Sequence, residues 1–446
     1  MAQPISMPLA VAPAGRLYPW FVLGLFWIVY FLNHADRQIL FSAFPLVQKE
    51  LGLSNTQLGL LGSSFQWVYA CMVPLAGFLG DSVPRKRIII AALLSWSLTT
   101  IASGLVTGFA FLLILRALTG AGEAYYYPSA TSIISDYHGS RTRALAMSIH
   151  QTSLYFGVVV SGTLAGYLAQ RFGWRSAFLA FGAAGIFASI ALARYLREPR
   201  RGAADAGHSA VMQPESASGA AAGKPAMPFA ARALVLFRTP SALALTVSFC
   251  GMSFASVAVV TWMPAFLYNG FGYTLAAAGF HATFYHQLGA FAGVLLGGRV
   301  ADKLADRNPL SRPWVQAAGL LISAPFLFWI GSANSVVQVF AALGLFGLFR
   351  GIYDSNLFAS LFEVVPPEAR STATGLMLSA GFLVGGTSPV VIGKLSQQYG
   401  LGPSLGGTSV CYLAAGIVML ANIALWFQRD SARMQAALSA EEPSHS

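Results

Sequence analysis

The stretch GFLGDSVPRKR, residues 77–87, has a partner in GRVADKLADR, residues 298–307. Gly298 and Asp302 each stand 221 positions after Gly77 and Asp81. Both stretches follow an apolar run long enough to cross a bilayer, and both carry basic residues. The correspondence continues at a slightly larger spacing. Arg143 matches Arg370, Gly166 matches Gly393 and Gly173 matches Gly400, all 227 positions apart. One unit therefore occurs twice in the same order, as a parallel repeat.

Composition says what kind of unit this is. The chain has 446 residues, is 56% hydrophobic and 10% charged, and has a mean hydropathy of +0.62. A soluble domain carries about 25% charged residues. The sequence is that of a multi-spanning membrane protein. A span takes about 20 apolar residues. By that rule the first half holds spans near 18–40, 57–79, 88–107, 109–134, 144–168 and 176–195, and the second holds spans near 241–268, 275–298, 313–333, 335–362, 371–393 and 408–428. The predicted architecture is all-α, with twelve transmembrane helices in two six-helix pseudo-symmetric bundles, residues 1–197 and 238–428. The break between them, 198–237, contains EPRRGAADAGHSAVMQPESASGAAAGKPAMPFAA and is rich in Ala, Gly, Ser and Pro. Such composition builds no core and reads as a flexible cytoplasmic linker. Residues 429–446 read as a cytoplasmic tail.

The 27 Lys and Arg outnumber the 16 Asp and Glu, for a net charge of +11. Twenty of the 27 fall in the termini and in the loops after spans 2, 4, 6, 8 and 10. The opposite side holds Lys49, Arg171, Arg175 and Lys394. Positive loops stay in the cytoplasm, so both termini are predicted inside. The excess charge is a topology signal and not a nucleic-acid footprint. Cys71, Cys250 and Cys411 sit in separate apolar runs without CxxC or zinc spacing, and read as buried small hydrophobes. The histidines are scattered, and no P-loop, GxSxG or nucleotide motif occurs. No enzyme, cofactor or metal chemistry is expected.

Three arginines remain inside spans, Arg37, Arg116 and Arg350, with the acids Asp36, Glu123 and Asp354. Ionisable groups in membrane helices face a cavity or a partner. In RALTGAGEAYYY, residues 116–127, Arg116 and Glu123 are seven apart and share one helical face. They are separated by roughly 10 Å along the axis at 1.5 Å per residue. Gly120 and Gly122 keep that helix thin for a neighbour or ligand. A carboxylate in a low-dielectric cavity can load and release a proton. A nearby arginine opposes loading, and an anion that occupies the arginine relieves that opposition. Such coupling is reciprocal. The alternative is that Asp36–Arg37 and Arg116–Glu123 are structural pairs. Arg350 falls opposite Glu123 at the 227 spacing, and Asp354 lies four residues after it in FRGIYDSN. Arg350 either faces the cavity and selects anions or pairs with Asp354 along its own helix. Tyr127, Gln151 and His286 are candidates to hydrogen-bond a polar substrate, or else to bond between helices.

Twelve spans in two parallel halves, with GxxxD and basic residues after spans 2 and 8, resemble the major facilitator superfamily. The resemblance covers nearly the whole chain. It implies that Gly77, Asp81 and Arg85, with Gly298 and Asp302, form gating and structural loops that do not touch substrate. Asp81 would cap a neighbouring helix end, and Arg85 to Arg87 would sit at lipid headgroups. Pro84 stands where a glycine is common. NHADRQIL, residues 33–40, resembles the NYxDR signature of the anion–cation symporter family, with His34 in place of tyrosine. RALTGAGEA, residues 116–124, resembles RxxxGxGEA, and FGWR, residues 172–175, resembles that family's loop after helix 5. By this resemblance Asp36 and Glu123 carry protons, while Arg37 and Arg116 hold the substrate carboxylate and the glutamate; His34 lies at the end of the same site. The implied activity is proton-coupled symport of a small organic anion, such as a sugar acid or aromatic acid, by a monomer in a bacterial inner membrane. The same helix 1 and helix 4 motifs resemble spinster-like transporters, which would carry a lysolipid. A multidrug/proton antiporter is the third alternative. The GP core of the antiporter helix 5 is missing from GVVVSGTLAG, residues 157–166.

Overall fold

The computed structural model describes residues 17–139, 141–200, 204, 228–305, 308 and 310–441, with backbone alone at 77, 78, 80–82, 437 and 439–441. Among these residues the regular elements are helices. The first half contains α1 (Tyr18–Leu51), α2 (Asn55–Ser82), α3 (Arg85–Ser103), α4 (Phe109–Glu123), α5 (Tyr126–Tyr137), α6 (Arg143–Phe172) and α7 (Trp174–Tyr195). The second contains α8 (Phe229–Arg238), α9 (Pro240–Phe271), α10 (Leu275–Ala305), α11 (Ser311–Ser332), α12 (Val336–Asp354), α13 (Leu357–Phe362), α14 (Arg370–Gly385), α15 (Ser388–Tyr399), α16 (Leu401–Gly407), α17 (Ser409–Asn422) and α18 (Gln428–Glu441). A π turn, Ile423–Phe427, joins the last two.

Nine helices among the described residues are long and apolar enough to cross a membrane. The three expected spans outside that set are also helical: α1, α4 with α5, and α10. They carry Asn33, His34, Asp36 and Arg37, Arg116 and Glu123, and His281, His286 and Gln287, which dilute their apolarity.

Local chemistry sets the helix ends. Ser54 and Gln57 form a capping box at the start of α2, as Ser335 and Gln338 do at α12. Gly52, at φ 63°, ends α1 in the left-handed region, where a side chain would be strained. Two expected spans break where a proline follows. Pro128 has no N–H for the carbonyl of Ala124, and α4 gives way to α5 there. Pro389 stands in the same relation to Gly385, between α14 and α15. The expected linker is helical over α8, which buries Leu236; residues 201–203 and 205–227 lie outside the described residues.

The halves meet at one end of the helices. Gly162 of α6 lies against Gly279 of α10, and Gly166 against the Leu275 backbone. Gly59 of α2 abuts Pro389, and Gly393 of α15 abuts Asn55. Hydrogen bonds reinforce the seam: Asn55 Nδ2 donates to Ser396 Oγ (2.9 Å), Gln397 Nε2 to Thr56 Oγ1 (3.0 Å) and Leu275 N to Gln170 Oε1 (3.1 Å). These residues occupy the ends of α2, α6 and α10 remote from the basic loops. On the same side Glu50 accepts hydrogen bonds from Arg175 and the Trp174 indole, which hold its carboxyl below the usual range.

Charged rivets close each half at its basic end. Arg85 is buried, pairs with Asp136 and donates from Nε to Glu198 Oε1 at 3.0 Å. Arg312 pairs with Glu363 and lies 3.6 Å from Asp302. Arg85 and Arg312, like Asp136 and Glu363, are 227 positions apart. Arg85 is thus a structural residue inside its bundle and not a headgroup contact. Asp302 is exposed, and Gly298 has open space around it. Gly77 and Asp81 lie on α2, where the side chains fall outside the described residues; Arg307 of the second motif lies outside them altogether. Contrary to the expected burial, Cys71 is exposed on α2, and Cys250 and Cys411 are half-buried.

Candidate functional site

Neighbouring residues on a helix point about 100° apart. Asp36 and Arg37 therefore cannot face each other, and the structure sends them to different partners. Asp36 Oδ2 accepts a hydrogen bond from Thr100 Oγ1 of α3 at 3.2 Å, and the Asp36 carbonyl accepts one from Arg116 Nη1 at 3.3 Å. Arg37 Nε donates to Glu123 Oε2 at 3.0 Å. The cluster is held by cross-pairs between α1 and α4, not by the Asp36–Arg37 and Arg116–Glu123 pairs of the structural alternative. Arg116 and Glu123 share a face but are too far apart along it to meet.

Phe65 of α2 lies against both cations. The guanidinium carbons of Arg37 and Arg116 are each 4.9 Å from its ring centre, and Arg37 is also 4.6 Å from that of Tyr69. The aromatic faces offset part of the cost of two cations in one apolar site. Gly120 packs on the Phe65 backbone and Gly122 on Trp96 of α3, so the thin face of α4 admits helices. Arg116 is 1% exposed, and Asp36 and Glu123 are buried. Arg37 is 19% exposed and is the member of this foursome that opens outward. Glu123 Oε1 and Arg116 Nε and Nη2 meet no hydrogen-bond partner among the described residues.

An aromatic wall adjoins the charges. Tyr30 stacks on His150 at 4.5 Å between ring centres, with His34 at 4.7 Å and Tyr127 at 5.5 Å from Tyr30. Tyr126 donates to the Phe26 carbonyl at 2.7 Å and touches His150 Nε2 at 3.1 Å. His150 is thus committed within the wall, while Tyr127 is exposed and Gln151 half-buried beside Tyr30.

The second half presents Arg350 on α12. Its Nη1 donates to Nε2 of buried His286 at 3.2 Å, and its Nη2 lies 3.5 Å from Asp354 Oδ2. His281 instead joins Tyr273, Tyr285 and Phe340 in an aromatic stack. Between α6 and α10 runs an apolar groove lined by Tyr155, Phe156, Val159, Phe284 and Phe291.

The model of the Major Facilitator Superfamily matches residues 26–387 and 282–445. The chain belongs to that superfamily. This multi-pass membrane transporter is 27% identical over 418 residues to the probable galactarate/D-glucarate transporter GudP of Bacillus subtilis, spanning 88% of this chain and 89% of that one. It is 28% identical over 392 residues to protein spinster homolog 1 of Homo sapiens, spanning 82% and 71% of the two chains. Its fold is similar to that of a solved bacterial homolog of the human lysosomal transporter Spinster, in an inward-facing and occupied conformation. The TM-score is 0.81 at 22% identity, over 94% of this chain and 99% of that one.

Sequence reasoning missed Phe65, Tyr69 and Thr100 in the transporter's charge cluster. Phe65 and Tyr69 are four apart on α2 and share a face, a signal that many core aromatics also give. Thr100 gave none, because a threonine in a span commonly bonds its own helix.

Proposed function

We propose that the transporter is a proton-coupled symporter of a small organic anion, with the site between a first-half bundle and a second-half bundle. The observation that carries this reading is the buried Arg37–Glu123 pair, in which the arginine is partly open and the carboxylate is sealed. An anion that engages Arg37 draws it from Glu123. The carboxylate is then left charged in a low-dielectric site, and binding a proton removes that cost. Asp36 stands behind as a second proton carrier. Arg116 compensates both acids from within the protein, since its burial keeps it from touching substrate directly. Arg350 supplies positive charge from the second half, and Tyr127, Gln151 and His34 offer hydrogen bonds to hydroxyl groups, while His286, buried behind Arg350, orients it and is not itself a substrate ligand. The GudP relative, named for galactarate and D-glucarate, supports a sugar acid as substrate class.

The geometry also favours one conformational state. The seam between halves is tight at the end away from the basic loops, which suits a state open to the cytoplasm with both termini inside. The two bundles would rock about the midplane site as a monomer. A bacterial inner membrane suits the short loops.

A second reading has its own observation. The groove between α6 and α10 is apolar and flanked by exposed Phe156, Leu288 and Phe291, which would suit the chain of a lysolipid. Proteoliposomes separate the two. On the symporter reading, D-glucarate, galactarate or an aromatic acid accumulates under an inward proton gradient and lysolipid does not compete. Uptake of labelled lysolipid with no accumulation of any carboxylate would transfer the protein to the second reading.

A further inference from the structure

We propose that Asp354 is a built-in competitor for the substrate carboxylate: it occupies the Arg350 guanidinium while the site is empty and yields it when an anion binds. This rests on the reading of an anionic substrate.

The three intramembrane arginines are not equivalent. Arg116 is sealed at 1% exposure. Arg37 is engaged with Glu123 through a 3.0 Å contact. Arg350 is 23% exposed at its side chain, and Asp354 beside it 25%. Their contact is 3.5 Å, long against about 2.7–2.9 Å for a well-formed ionic hydrogen bond. Arg350 Nε is buried and has no hydrogen-bond partner among the described residues. The Nη2 end is therefore loosely held, and a carboxylate that displaces Asp354 from it can reach in to the buried, unpartnered Nε and complete the two parallel hydrogen bonds of an arginine–carboxylate pair.

The other edge is fixed. Arg350 Nη1 must donate, so His286 Nε2 accepts and the imidazole is neutral with its proton on Nδ1. His286 is fully buried and stacks on Phe346 at 5.3 Å. It orients the guanidinium and adds no charge. The other titratable groups that face Arg350 are Tyr155, from α6 across the seam, and Tyr412 of α17, whose hydroxyl is engaged with Ser256 at 3.1 Å. Among the described residues, Asp354 is thus the one carboxylate of the groups that face Arg350. Four residues on in the same helix, it can neutralise the cation without being a rigid partner. An incoming anion must outcompete it, which sets a threshold against weakly binding anions.

The test is calorimetric titration of the purified transporter with D-glucarate, galactarate and benzoate as probes. Asp354→Asn and Asp354→Ser, two neutral variants read on monodisperse protein, are expected to bind a carboxylate at least about tenfold more tightly than wild type, the size of one charge-assisted contact. Asp354→Glu keeps the competitor and stays near the wild-type value. Arg350→Gln loses the tight mode, and adding Asp354→Asn to it restores nothing. Weaker binding in both neutral variants would mean that Asp354 only holds Arg350 in place, and the inference would fall. Unchanged binding in Arg350→Gln would also overturn it and leave the Arg37 site standing. Binding of no carboxylate by any variant would overturn both readings together.

Discussion

At the scale of residues, the site is organised by which groups can reach one another. Arg37 is shared between an internal acid and the open side, while Arg116 is closed in. The consequence is a prediction for Arg37→Lys. Lysine keeps the charge and can still pair with Glu123, but it lacks the planar fork that grips a carboxylate. Anion binding should weaken by about 1.5–3 kcal/mol, the worth of a hydrogen bond to a charged group. Titration with a bound carboxylate checks this, and Arg116→Lys should cost stability first. The common face of Arg116, Gly120 and Glu123 was legible in the sequence because helical periodicity alone fixes it. The cross-pairing was not legible. It depends on how α1 is rotated against α4, and no spacing within one helix encodes that rotation. Arg85 shows the same limit. Its basic neighbourhood suggests lipid headgroups, yet Asp136 of α5 and Glu198, just past the end of α7, come from remote parts of the chain to pair with it.

At the scale of elements, proline and glycine decide where helices stop and how close they come. Pro128 and Pro389 break two expected spans near the charged cluster and the seam. The breaks were readable from the missing N–H, but a hydropathy window averages over a single residue and passes across them. The linker shows the converse: its apolar end, FAARALVLFR, is short and follows a long featureless tract, yet a neighbour for Leu236 makes it a helix. Outside the spans, Glu50 joins the end of α1 to the start of α7 through Arg175 and Trp174. Its carboxyl is held below the usual range chiefly by the Arg175 hydrogen bond. A depressed carboxylate contributes stability above its unfolded value and loses it as pH falls through the folded one. The difference in melting temperature between wild type and Glu50→Gln should therefore be present at neutral pH and vanish in acid. It should be small, because the pair is exposed and solvent screens it.

At the scale of the whole molecule, the repeat was the most legible feature. The 227 spacing anticipates Arg85 with Arg312 and Asp136 with Glu363, and the structure builds matching rivets from them. The seam was less legible, since glycines that face another bundle look the same in sequence as glycines that face a neighbouring helix. The seam yields a prediction about motion. Asn55 and Ser396 touch across the halves. In a background without Cys71, Cys250 and Cys411, an Asn55→Cys, Ser396→Cys pair should crosslink and stop uptake, and reduction should restore it. Uptake that persists in the crosslinked protein would mean that this seam does not open during transport.

The central claim is that an anion and a proton move together through the Arg37–Glu123 pair. The most direct measurement is lumenal pH in proteoliposomes loaded with a fluorescent pH dye, as an external carboxylate is added with no imposed gradient. Wild type should acidify the lumen in step with entry of the anion, and Glu123→Gln should still bind the anion but move no protons. Anion entry without acidification, or acidification that survives Glu123→Gln, would contradict the claim.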